Sequence, residues 1–179
     1  MVAYSFIDSD SGPSSATTHT TPSFTPTTGS ILVLCAHGWK TSAGSSTWSV
    51  SDSGARTWTQ RLLTSASSPL SGTAADLIVY TADTATASSM TVSFGLGADS
   101  ETGWTLFEIT GGDSSSPFTN IAGNYTDPDG TGQTTADSPS FSTGTLAAAP
   151  GASEIGLAWM SIQINQSVVG AQFSAAPAH

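Results

Sequence analysis

Three histidines, thirteen carboxylates and one thiol are the groups in this chain that could do acid–base, metal or nucleophilic chemistry. His19, His37 and His179 lie far apart, and none falls in an HExxH or His–carboxylate spacing that would suggest zinc. Asp8 and Asp10 form a D-x-D pair, and Asp127, Asp129 and Gly130 form a DPDG loop. Calcium takes several oxygen ligands from such turns, so Asp127 and Asp129 are the metal candidates. Neither loop continues to the glutamate of an EF-hand, and Asp, Pro and Gly make turns without any ion. Asp99 and Glu101 are spaced like a glycosidase pair only if they share a strand face, and their segment reads as a loop. Cys35 is the only cysteine, so no internal disulfide forms, and its apolar flanks suit a buried thiol better than a nucleophile. Serines are numerous, but no G-x-S-x-G elbow occurs. No catalytic residue is assigned, no cofactor is expected, and the reading is of a protein that is not an enzyme.

The other group with a functional option is aromatic. Trp39, Trp48, Trp58, Trp104 and Trp159 could pack in a core or form a sugar-binding platform. Trp104 and Trp159 suit the core. Trp48 and Trp58 flank a turn and are the candidates for exposed aromatics.

The elements that must position these residues read as strands. Ser and Thr make up about a third of the 179 residues, while only 9% are charged. Hydroxyl-rich, β-branched sequence favours strands and turns over helices. Residues 2–7 suit a first short strand. Residues 16–28 are Thr- and Pro-rich, and Pro22 and Pro26 bar them from a central strand. That stretch reads as an edge strand or an extended arm whose Thr18, His19, Pro22, Phe24 and Pro26 would contact an assembly partner. Residues 29–39 form the clearest core strand, a continuous apolar run suited to burial on both faces. Segments 47–50 and 57–63 suggest a hairpin around 51–55. Segments 74–81, 89–94 and 103–110 follow as further strands, and 154–164 with 168–173 as a closing hairpin around 165–167. In 103–110 the alternation puts Trp104, Leu106 and Glu108 on one face. Glu108 conflicts with a buried face there, so that strand is expected to show Glu108 to solvent.

Eight to ten short strands with frequent turn signals predict an all-β antiparallel sandwich, jelly-roll-like, in a single domain. Residues 1–28 would be the N-terminal strand and arm, and 29–179 the sandwich. Net charge is −10 with Lys40, Arg56 and Arg61 the only fixed cations. Such a surface is a poor partner for nucleic acid or an anionic membrane. No basic start with a long apolar stretch marks a secretory signal, so synthesis in the cytoplasm is expected.

The run from residue 18 to 111 carries THTTPSFTPTTGSILVLCAHGW, SVSDSGARTWTQR, ADLIVYTA, MTVSF and WTLFEITG in order. This layout resembles β-sandwich domains of phage virion proteins. The resemblance covers about half the chain, and its motifs are structural. It implies a virion structural protein, first of all a capsid decoration protein that binds the major capsid protein or another virion protein and is itself a homo-oligomer, a trimer being favoured. A tail, baseplate or fibre component is the neighbouring alternative, and a carbohydrate-binding adhesive module the more distant one.

Overall fold

The computed structural model describes residues 2–10, 18–40, 48–67, 74–84, 86–95, 101–113, 157–160, 163–164, 167–168 and 172–175. Every regular element among them is a strand, and the fold is an all-β, sandwich-like pair of antiparallel sheets. The larger sheet contains β1 (Ala3–Asp10), β3 (Ile31–Lys40), β5 (Thr59–Ser67), β6 (Ala74–Asp83) and β8 (Glu101–Thr110), in the order β1-β8-β3-β6-β5. The smaller contains β2 (His19–Thr20), β4 (Ser49–Asp52) and β7 (Val92–Gly95), in the order β2-β7-β4. The chain thus passes from one sheet to the other repeatedly between β1 and β8.

The expected closing hairpin is present. β9 (Leu157–Met160) pairs with β12 (Gln172–Ala175), and β10 (Gln163–Ile164) pairs with β11 (Ser167–Val168) inside it. β11 lies against β8.

Period-two alternation explains the packing. Leu32, Leu34 and Ala36 of β3, Ile78 and Tyr80 of β6, and Trp104 and Leu106 of β8 share the inner face of the large sheet. They meet Trp48, Met90, Val92 and Phe94 from the small sheet and its flanks. Phe94 and Trp104 touch edge to face across the interface, with centroids 5.1 Å apart. The alternate residues Ile31, Val33, Cys35, Val79, Phe107 and Ile109 form a second buried cluster on the outer face. β3 is therefore covered on both sides, as its unbroken apolar run requires.

Two sequence expectations change. Segments β4 and β5 do not form a hairpin: β4 pairs with β7, and β5 pairs with β6 in the other sheet. The SDSGA stretch between them is a corner that joins the layers. Glu108 does not face solvent. It is 8% exposed on the inner face, and its carboxylate accepts the Thr27 N–H at 2.5 Å. A buried carboxylate needs such donors, and the segment leading into β3 supplies one.

Candidate functional site

The segment from Thr18 to Thr28 is the part of the sequence expected to make contacts, and it lies along the edge of the small sheet. β2 pairs with β7, setting His19 opposite Phe94 and Thr20 opposite Ser93. The His19 ring stacks on Phe94 with centroids 5.6 Å apart. Thr21 N–H donates to the Val92 carbonyl, and Val92 N–H donates back to Thr21 Oγ1. Phe24 and Met90 exchange both backbone bonds, and the Phe24 ring packs partly buried against the inner core. Pro26 is buried. The segment is thus an edge strand, consistent with prolines that donate no ladder bond.

Its open side presents Thr18, Pro22, Ser23 and Thr25, all exposed. Thr20 Oγ and Ser23 Oγ bond Ser93 Oγ and Ser89 Oγ, which fixes a row of hydroxyls at the rim. Behind it, Ser30 Oγ and Thr84 Oγ1 lie 2.6 Å apart, and each donates toward the Thr27 carbonyl at 2.7 Å. Of the five residues singled out, Thr18 and Pro22 face solvent, His19 and Phe24 are half-buried anchors, and Pro26 is inside.

The tryptophan candidates separate. Trp48 is only 8% exposed and belongs to the inner core, so it is not an exposed aromatic; a large ring at the mouth of the sandwich is drawn between the sheets. Trp58 is half-buried, and its Nε1 donates to Asp52 Oδ2 at 2.7 Å.

Asp52 organises the corner, a role the sequence reading missed. Its side chain is fully buried. It accepts the backbone N–H of Gly54 at 2.6 Å and of Arg56 at 3.2 Å, and the Arg56 guanidinium at 3.3 Å. Arg56 Nη2 continues to the Thr86 carbonyl at 3.0 Å. Ala55, at φ 56°, takes the left-handed turn that lets the chain return to its own aspartate. The D-x-G spacing was the available signal, since an aspartate bonding two residues on is an Asx turn.

Burial shifts the titration of both Cys35 and His37. Burial pushes the Cys35 thiol up to about 12. Burial lowers His37 to about 4, so the ring is neutral at physiological pH. His37 stands opposite Gly103 in the ladder and covers it so closely that a Cβ there would collide with the ring. Asp8 Oδ1 accepts the Ser9 N–H at 2.9 Å. Glu101 opens β8 rather than lying in a loop. Asp99, His179, Asp127 and Asp129 lie outside the described residues. Among the described residues no three His, Cys, Asp or Glu side chains gather as a metal site. Comparison with protein-family models, curated proteins and solved structures found no match.

Proposed function

We propose that this chain is a bacteriophage virion structural protein, in the first instance a capsid decoration protein attached to the major capsid protein as a homo-oligomer. One observation carries the reading beyond the motif resemblance. The Thr18–Thr28 segment, which leads the resembling motifs, is anchored from behind by backbone bonds and presents a rim of hydroxyls and proline without charge. A rim of that kind suits a steady protein–protein contact made by shape and hydrogen bonding. Cys35 and His37 are turned to packing, and Asp52 and Glu108 to holding backbone, which agrees with a structural role over catalysis. Of the two tryptophans put forward for sugar binding, Trp48 is buried in the core and Trp58 is half-buried and engaged with Asp52.

The test is particle composition. Mass spectrometry of purified virions should find the chain in stoichiometric copies. Purified chain should co-sediment with capsids that lack it, and Thr18→Lys with Pro22→Lys should weaken that binding at least ~tenfold, as expected for disrupting a desolvated contact. Binding to isolated tails instead would move the site to the tail. Absence from particles together with no capsid binding would refute the proposal.

A further inference from the structure

Among the described residues, the large hydrophobic side chains that stay exposed lie on the two outer strands of the large sheet. Tyr4 and Phe6 on β1 are 45% and 62% exposed, and Leu63 on β5 is 41% exposed. Four successive residues of β1, Ala3 to Phe6, are open to solvent. A sheet edge offers unpaired backbone groups, and proteins usually guard it with lysine or proline. Neither strand contains either residue. Each carries one bulge, between Phe6 and Asp8 in β1 and between Gln60 and Leu62 in β5.

The edges are opposite in charge. β1 carries Asp8 and Asp10 and no cation, whereas β5 carries Arg61 and no carboxylate. Arg61 is one of only three fixed cations in the chain, and Arg56 is already paired with Asp52. The side chains also sort by face. Tyr4 and Phe6 stand opposite Ile109 and Phe107, on the outer face, while Asp8 stands opposite Leu106, on the inner face. On β5, Leu63 stands opposite Ile78, on the inner face, while Arg61 Nε reaches Thr81 Oγ1 on the outer face at 2.8 Å.

We infer that β1 of one copy pairs antiparallel with β5 of the next, so that the protein self-associates edge to edge. Every neighbouring pair in the large sheet is antiparallel, so β1 and β5 run in the same direction. An added copy whose β1 opposes β5, with its strand order continuing outward, is therefore turned over. Outer-face Tyr4 and Phe6 then share a side with inner-face Leu63, and inner-face Asp8 shares a side with outer-face Arg61. Apolar meets apolar, and carboxylate meets guanidinium. A two-fold pairing of β1 with β1 instead gathers the carboxylates of both copies on one edge, which opposes it. The joint is heterologous and leaves one free edge at each end, so copies add in a row; it does not close at the three copies expected of a decoration trimer. This inference does not depend on the virion proposal and is tested on the purified chain alone.

The experiment uses Phe6→Lys to block the β1 edge and Leu63→Lys to block the β5 edge, with circular dichroism as the control for folding. By sedimentation velocity, the wild-type mass should climb past two copies as concentration rises. Each variant alone should remain a monomer. Their equimolar mixture should stop at a dimer, because only β1 of the Leu63→Lys chain and β5 of the Phe6→Lys chain are open. Reversing one charge, Asp8→Lys, should weaken wild-type association about tenfold, and adding Arg61→Glu should restore it. Self-association of either blocked variant alone, a mixture that stays monomeric, a monomeric wild type, or a double charge reversal without recovery would each overturn the inference.

Discussion

Cys35 sits in the central strand of the large sheet, where burial pushes its thiol up to about 12. The thiolate is the reactive species, so this cysteine should be inert at neutral pH. An aromatic disulfide reagent should leave the native chain unlabelled and titrate one thiol in denaturant; fast labelling of native protein would contradict the burial. His37 makes a pH-dependent contribution of definite sign. Its folded pKa, about 4, lies below the ordinary 6.5, so the unfolded chain binds the proton more tightly. The stability it contributes is present above pH 6.5 and is lost as pH falls toward 4, by up to roughly 3 kcal/mol. Urea melts at pH 7 and pH 4.5 should show this loss, and His37→Gln should reduce it. Both roles were partly legible, because Cys35 and His37 stand in or beside the longest apolar run. Glu108 was not. Alternation gave its face correctly, but only the fold brings the Thr27 N–H to that carboxylate from 81 residues away.

At the scale of elements, the corner between β4 and β5 depends on one side chain. Asp52→Ala removes the acceptor for two backbone N–H groups, the Trp58 indole and Arg56 together. Losing the buried partner of a charge costs about 3–5 kcal/mol, and Asp52→Ala should fall in that range by denaturant melts. A loss below about 1 kcal/mol would show that water replaces the aspartate. Strand positions were readable because apolar alternation is a local property: the runs behind β3, β6, β7 and β8 all became strands. Partners were not readable. Thr-Trp-Thr follows SDSG as it would in a hairpin, yet β4 and β5 enter different sheets. Trp48 and Trp58 had equal claims to exposure from their flanks, and the choice was made by which ring the second sheet covers.

For the whole molecule, the pairing is mostly between distant parts of the chain. β1 pairs with β8, and β3 pairs with both β6 and β8. Loop closure must precede those contacts, and sheets of this kind fold in roughly milliseconds to seconds. Stopped-flow tryptophan fluorescence should find its main refolding phase there; a phase of tens of microseconds would argue for local structure instead. The same pairing also matters while the polypeptide is being made. Phe6 and its ladder partner Phe107 leave the ribosome about a hundred residues apart, which at ~5–20 residues per second is roughly 5–20 s of translation. Throughout that interval an aromatic, strand-prone N-terminal stretch has emerged with its neighbour still unmade, giving a holding chaperone something to grip until β8 arrives.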